Sequence, residues 1–231
     1  MKVQGSRNIA RVNISPAGLF KLKITKPCLE MKTVNATIIT VLALLIIQSF
    51  NTMAFAKTEK QKYTVVHKEK EFEIRFYPSA VLATVYTDAR SYKELANPGF
   101  RKLAGYIFGG NESDTKISMT SPVHMDINSP SSSMSFVMPS SYNEENLPKP
   151  DDPGVIIERT EDVHVAVITF GGYASDNDIK KYSEKLRTLL DEKGITWYGN
   201  FRFLGYNPPF QPFGRKNEII VSVRWPEGSP K

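Results

Sequence analysis

The order of the predicted secondary-structure elements constrains this chain more than any other feature of its sequence. From Tyr63 onward, hydrophobic periodicity predicts two strands, a helix and two further strands, and after a polar stretch it predicts the same order again. The two helices are predicted to begin near residues 91 and 176. Antiparallel strands with only two helices predict an α+β fold in which the sheets curve together and the helices pack outside, and the repeated order predicts two similar units.

Start and stop signals bound the predicted helices. Ser91 and Glu94 have the spacing of a capping box, and the apolar positions that follow recur at helical spacing until the Gly109–Gly110 pair. The second helix is predicted to begin at Asp176 or Asn177, and it carries an apolar stripe of its own. A loop rich in proline, asparagine and aspartate separates the two halves.

The first 56 residues differ in composition from the rest of the chain. Residues 1–30 are basic and irregular, which predicts a disordered or untranslated extension. Residues 31–56 have the layout of a signal peptide, with a short basic region, an apolar run at 36–47 and an Ala-x-Ala end, and residues 57–62 form a predicted polar linker. The apolar run is shorter than the ~20 residues that a membrane-spanning helix needs. We therefore expect cleavage after Ala56 and export, to the periplasm in a bacterial-type cell, with an uncleaved anchor as the alternative.

The net charge of +6 would ordinarily suggest nucleic acid or an anionic surface as a partner. Seven of the 30 basic residues but only one of the 24 acidic residues precede Lys57, which leaves 23 of each in the remainder. The single cysteine, Cys28, also precedes Lys57. The body of the chain is therefore neutral and lacks cysteine, which argues against a nucleic-acid partner, a disulfide framework and a cysteine-based metal site.

Two motifs in the body are specific enough to suggest a family. The first joins Gly109-Gly110-Asn111 to Lys116-Ile-Ser-Met-Thr-Ser-Pro-Val123, whose alternation predicts a half-buried strand bent at its Ser-Pro pair. The second joins Gly205-Tyr-Asn-Pro-Pro-Phe210 to Gly214-Arg-Lys-Asn-Glu-Ile219. Together these motifs resemble the SOUL/haem-binding protein family, and the resemblance places a SOUL haem-binding domain at residues 63–227.

The resemblance implies both a fold and a function. The implied fold is a distorted antiparallel β-barrel with two helices, built from two βαββ-like repeats and similar to bacterial effector-binding domains. The implied function is the binding of haem or a related tetrapyrrole in a hydrophobic cleft, as an exported carrier, buffer or scavenger that performs no catalysis. We expect no membrane span once the signal peptide has been removed, and the oligomeric state stays open.

Among the three histidines, His124 is the first candidate for an axial haem ligand because it directly follows the Met-Thr-Ser-Pro-Val motif. The alternative for His124 is an ordinary strand histidine. His67 and His164 are weaker candidates by their positions in the strand alternation. Met119 offers a thioether that can ligate iron, although methionine on an apolar strand face is usually packing.

Haem needs aromatic and aliphatic walls, and it needs a basic rim because a buried, unpaired carboxylate is costly. Predicted walls are Tyr106, Met119, Val123, Phe136 and Phe170. Predicted rim residues are Arg101, Lys102 and Lys116. Helical spacing puts Arg101 and Lys102 off the apolar stripe, so solvated charges are the alternative for these two residues.

The residues give little support to a catalytic function. No Gly-x-Ser-x-Gly elbow, His-Glu-x-x-His zinc motif or phosphate-binding glycine loop occurs in the chain. Three alternatives to a haem carrier stay open: a binding module for another apolar small molecule, an enzyme that acts on a tetrapyrrole, and a protein with a structural or partner-binding role.

Overall fold

The computed structural model describes residues 58–128 and 131–226. The predicted extension at 1–30, the predicted signal peptide at 31–56 and its cleavage point after Ala56 lie outside the described residues. Among the helices that are described, none has the combination of length and apolar character required to cross a bilayer.

The described residues form eleven strands and two helices. The strands are β1 (Glu59–Lys60), β2 (Thr64–Lys68), β3 (Glu73–Tyr77), β4 (Val81–Thr87), β5 (Thr120–Ser121), β6 (Val123–Asp126), β7 (Ser132–Val137), β8 (Val155–Arg159), β9 (Val163–Gly171), β10 (Trp197–Gly205) and β11 (Lys216–Val223). The helices are α1 (Tyr92–Ile107) and α2 (Asp176–Glu192).

Nine strands form one antiparallel sheet in the order β2-β3-β9-β11-β10-β6-β7-β4-β8, and β1 pairs separately with β5 in parallel. The sheet order has matching halves. At its centre β6 pairs with β10, and outward from this pair β7 corresponds to β11, β4 to β9 and β8 to β3. Each half also contributes one helix at the equivalent point of the chain. The predicted α+β class with two helices and a large antiparallel sheet is therefore confirmed.

The predicted barrel needs a correction. β2 and β8 each pair on one side only within the described residues, so the sheet is distorted but not closed. The predicted single strand through the Ser-Pro motif is also divided, because Pro122, which has no backbone N–H to pair, separates β5 from β6.

Both helices begin at a serine cap. The Ser91 hydroxyl accepts a hydrogen bond from the Glu94 backbone N–H at 3.2 Å, whereas the Glu94 carboxylate accepts from the Arg90 N–H rather than from Ser91. The predicted capping box at α1 is therefore only half formed. α2 has the complete box, in which Ser175 and Asp178 cap each other's backbone N–H. The predicted start of α2 at Asp176 or Asn177 lies within the first turn after this cap.

The two faces of the sheet differ in what covers them. One face, here called the helical face, packs against α1 and α2 and holds most of the apolar core, including Ile74, Phe136 and Ile219. The opposite face, here called the second face, has a small apolar cluster centred on Leu204 and Ile220. Successive strand residues alternate between these faces, so a residue's position in its strand decides which environment it enters.

Candidate ligand-binding cleft

A cleft of about 440 Å³ lies on the helical face between α2 and β10, which is within the size range of small-molecule sites. The sheet supplies its floor and the first three turns of α2 supply one wall. The lining residues are Arg90, Met125, Ile127, Asn128, Asp176, Ile179, Lys180, Ser183, Arg187, Trp197, Gly199, Asn200, Phe201 and Phe203.

Aromatic side chains of β10 form the apolar wall. Trp197, Phe201 and Phe203 all line the cleft, and the first two rings lie 5.1 Å apart between centroids. The pairing of β10 with β11 shifts register between Tyr198 and Arg202, and Gly199 in this bulge has a φ of +72°, a left-handed conformation that favours glycine. The bulge therefore bows β10 where it borders the cleft.

Three basic side chains stand around this aromatic wall. The Arg187 guanidinium carbon lies 5.4 Å from the Phe201 ring centroid and 5.8 Å from that of Trp197, which is cation–π geometry. Among the described residues, neither the Lys180 ammonium nor the Arg90 guanidinium has a hydrogen-bond or ion-pair partner.

Among the described lining residues the one acidic side chain, Asp176, is already engaged. An oxygen of the Asp176 carboxylate accepts the backbone N–H of Tyr92 at 2.6 Å. The cleft therefore combines an aromatic wall with an excess of positive charge, an arrangement that suits an apolar ligand carrying carboxylates.

His124, the predicted axial ligand, lies on the other side of the sheet. Its neighbour Met125 lines the cleft, so strand alternation turns His124 to the second face. There the imidazole Nε2 hydrogen-bonds to the Gln61 Oε1 at 2.7 Å. Burial, together with the nearby Arg202 charge, lowers the pKa of His124 to about 3, so the ring is neutral. Iron ligation by His124 stays a prediction, and it would have to occur outside this cleft.

Three predicted wall residues lie in the interior. The Tyr106 hydroxyl donates to the Pro148 carbonyl at 2.8 Å, and the Phe170 ring stacks on Tyr182 with centroids 4.2 Å apart. Phe136 is 2% exposed and packs edge-on against Phe100. These side chains belong to the packed core, and none of them lines the cleft.

The remaining predicted residues lie near the core margin or at the surface. Met119 and Val123 are partly buried against the main apolar cluster, whereas Arg101, Lys102 and Lys116 are exposed. None of these five lines the cleft. The motif strand nevertheless reaches it through β6, whose Met125 follows Val123 by two residues on the same face.

Sequence reasoning missed the cleft residues although two signals for them exist. Trp197, Phe201 and Phe203 occupy alternate positions of one predicted strand. Lys180 and Arg187 are seven residues apart, which puts them on one side of α2. The two signals become one site only when β10 lies under α2.

A second, smaller cavity of about 230 Å³ lies among residues 59–62, the turn after β3 and the loop after β7. It has Tyr142 as its one aromatic lining residue among those described. The first cavity therefore fits a large planar ligand better.

Charged and polar groups around Glu218 on the second face partner one another. The buried Glu218 carboxylate pairs with Arg75 at 3.0 Å and with Lys216 at 2.8 Å, and it accepts the Tyr206 hydroxyl at 2.6 Å. Burial alone would raise the pKa of Glu218, but the Arg75 charge and these hydrogen bonds lower it. Since the cluster leaves Glu218 fully partnered, its role is structural.

The described residues contain no group of three or more His, Cys, Asp or Glu side chains placed to hold a metal ion.

Comparison with known proteins decides the family. A family model described as SOUL heme-binding protein matches residues 58–222. The chain belongs to this family.

Individual SOUL relatives match over most of their length. The chain is 30% identical over 156 residues to heme-binding protein 1 of Xenopus laevis, covering 64% of this chain and 81% of that protein. It is 31% identical over 156 residues to heme-binding protein 2 of Mus musculus, covering 64% and 76%, respectively.

Solved structures support the fold of this SOUL chain. The C-terminal domain of EcmrR superposes with a TM-score of 0.54 at 7% identity, covering 70% of this chain and 98% of that domain. An uncharacterized conserved protein from Listeria innocua gives 0.50 at 12% identity, covering 68% and 93%. At these identities the likeness shows a shared fold alone.

Proposed function

We propose that this SOUL-family chain binds haem or a related tetrapyrrole, without catalysis, in the cleft between α2 and β10. The observation that carries the proposal is the combination of an aromatic wall with three basic side chains and one engaged carboxylate. The names of the matched relatives, heme-binding proteins 1 and 2, support the same ligand class.

The aromatic wall would hold the ligand ring. Trp197, Phe201 and Phe203 offer ring faces and edges to a planar macrocycle, and burying an apolar surface of this kind is the main source of affinity. Ile179 of α2 adds an aliphatic contact from the opposite side.

The basic residues would meet the ligand carboxylates. Within residues 58–128 and 131–226 the charged groups of Lys180 and Arg90 have no partner, and Arg187 can keep its cation–π contacts while it donates to an oxygen. Pairing matters because a carboxylate moved from water to the cleft edge without a partner would lose its hydration.

The chain's contribution is position and exclusion of water rather than iron chemistry, which haem supplies when bound. Of the described lining residues, Met125 offers the one sulfur and none is a histidine. We therefore propose retention of the disc by apolar contact and carboxylate pairing. Such retention suits a carrier, buffer or scavenger that releases its ligand unchanged.

We further propose that the protein is exported. The support is the signal-peptide layout of residues 31–56. Mass spectrometry of the protein from the cell envelope fraction tests this proposal. A mature chain that begins at Lys57 is expected, and a cytoplasmic chain that retains residues 31–56 would overturn it.

Titration with haemin tests the ligand. We expect a saturable shift of the Soret band, and iron-free protoporphyrin should bind with similar affinity because ring contacts and carboxylates carry the binding. Chromatography of the tetrapyrrole after prolonged incubation should return it unchanged. The absence of a saturable shift would overturn tetrapyrrole binding, and the appearance of a product would indicate an enzyme instead.

A further inference from the structure

The turn between β10 and β11 exposes two phenylalanines. Phe210 is 73% exposed and Phe213 is 84% exposed, which makes them the most exposed large apolar side chains of the described residues. They lie three positions apart at the end of a projecting turn, here called the phenylalanine tip (residues 207–214). Keeping two aromatic rings in water is unfavourable, so their exposure indicates a surface that contacts an apolar partner.

Hydrogen bonds to its own backbone and side chains hold the phenylalanine tip in one conformation. The Arg215 guanidinium donates to the backbone carbonyls of Pro208 at 2.7 Å and Gln211 at 3.0 Å, and the Lys216 N–H donates to the Asn207 side chain at 2.6 Å. Pro208, Pro209 and Pro212 further restrict its backbone. The two rings are therefore presented by a preorganised turn, and docking them would require little further ordering.

The phenylalanine tip is also uncharged. Residues 207–214 contain no ionisable side chain. Arg215, the nearest cation, is turned inward, with its guanidinium carbon 4.3 Å from the Tyr173 ring centroid. The tip can therefore enter an apolar medium without moving a charge out of water.

The small area of the phenylalanine tip favours a lipid surface over a protein partner. Two phenylalanines bury about 150–250 Å² each, well below the roughly 1,000 Å² that a specific protein interface needs. Aromatic side chains are stable at the boundary between lipid headgroups and acyl chains, where no large matching surface is required. We propose that Phe210 and Phe213 dock the protein on a phospholipid bilayer.

The phenylalanine tip lies close to the start of α2, which lines the cleft. The Tyr173 hydroxyl donates to the Pro209 carbonyl at 3.3 Å, and Tyr173 precedes the start of α2 by three residues. Asp176, in the first turn of α2, lines the cleft. A bilayer contact at the tip would thus lie beside one end of the cleft. The docking itself does not depend on the identity of the ligand.

Tryptophan probes in the full-length chain test the proposal. Phe213→Trp places a probe in the tip, and Phe108→Trp places a matched probe at another exposed phenylalanine, 64% exposed at the end of α1. Each variant is mixed with phosphatidylcholine vesicles whose acyl chains are brominated near the headgroup. After subtraction of the emission of Trp197 and Trp225 measured in the unaltered chain, we expect at least twofold stronger quenching at position 213 than at position 108.

Residues 36–47 are apolar and could themselves bind the vesicles. Both variants contain these residues, so comparing quenching at positions 213 and 108 removes their contribution. Quenching at position 213 should be the same in 0.1 M and 1 M salt, since the tip is uncharged. Equal quenching at both positions would overturn the proposal.

A double variant supplies the second measurement. Phe210→Ser with Phe213→Ser should slow the transfer of haem from loaded vesicles at least threefold while leaving haem affinity in vesicle-free solution unchanged. Loss of affinity in solution would instead place the phenylalanines in the ligand site and overturn the docking proposal. Concentration-dependent self-association that the double variant abolishes, without quenching at position 213, would identify a second copy of the chain as the occupant.

Discussion

The two halves of this protein have the same order of elements, yet they pack their helices differently. α1 buries six residues against the sheet, whereas α2 buries only Leu186 and Leu190. Gly99 explains part of the difference, because a Cβ at this position would lie only 3.2 Å from Met134, so α1 approaches β7 more closely than a larger residue would allow. α2 has Ser183 and Arg187 facing a cleft instead. Space for a ligand thus arises where one of two equivalent helices is incompletely packed.

Truncating an apolar side chain in each helix should give the largest difference in stability between the two halves. Leu103 of α1 is fully buried, so Leu103→Ala should lower the free energy of unfolding by about 2–5 kcal/mol. Ile179 of α2 borders the cleft, and Ile179→Ala should cost about 1 kcal/mol because the space beside it is already open. Urea unfolding measures both values. Equal losses would show that α2 packs as tightly as α1.

The halves also differ at the centre of the sheet, where His124 of β6 pairs with Leu204 of β10. The pKa of folded His124 is about 3, below the ordinary value of 6.5, so its contribution to stability is complete above pH 6.5 and is lost as the pH falls toward 3. Each pH unit in this window is worth about 1.4 kcal/mol. His124→Leu should therefore flatten the acid limb of the stability profile, by about 2 kcal/mol between pH 6.5 and 4.5.

Unfolding measured across this pH range in both proteins checks the His124 prediction. The carboxylates contribute the same slope to each protein, so only the difference between the two curves matters. Parallel curves would show that His124 can be protonated in the folded state.

A leucine introduced into each helix should affect stability in α1 and ligand binding in α2. Gly99→Leu would force α1 away from Met134 and should destabilise the fold by about 1–3 kcal/mol. Ser183→Leu would extend into the cleft, so stability should change by less than about 1 kcal/mol while haem affinity falls at least tenfold. Unfolding and Soret titrations on both variants measure the pair of effects. A Ser183→Leu variant that binds haem normally would place the ligand elsewhere.

Charge removal around the cleft gives the smallest expected effect. Lys180→Gln with Arg187→Gln should weaken haem binding about fivefold to tenfold, because each carboxylate loses a partner near solvent, where an ion pair is worth about 1 kcal/mol or less. Lys181→Gln is the matched control, since this neighbouring residue of α2 does not line the cleft. Equal weakening by the control would indicate a general effect of charge rather than carboxylate pairing.

Local chemistry made much of the fold predictable. The Ser91 cap of α1, the start of α2 and the alternating strands all follow from residue-by-residue preferences that the finished structure keeps. The open edges at β2 and β8 were not predictable, because closure of a sheet depends on its accumulated twist and on strands distant in the chain.

The candidate site was less predictable than the fold. Tyr106, Phe136 and Phe170 have the right chemistry for a porphyrin wall, but the same chemistry fills a core, and in this structure they do so. A pattern in one strand cannot distinguish a packed aromatic residue from one that borders a cavity.

The sequence by itself determined the family, the α+β class, the order of elements and the face to which each strand residue points, since motif identity and short-range periodicity are written in neighbouring residues. Only the tertiary structure decided that β10 lies beneath α2, that Lys180 and Arg187 stand near Trp197 and Phe201, and that His124 faces away from them. The physical reason is that a cavity forms where segments distant in the chain do not pack closely. How closely each helix packs on the sheet depends on several segments at once, so no single segment of the sequence predicts it.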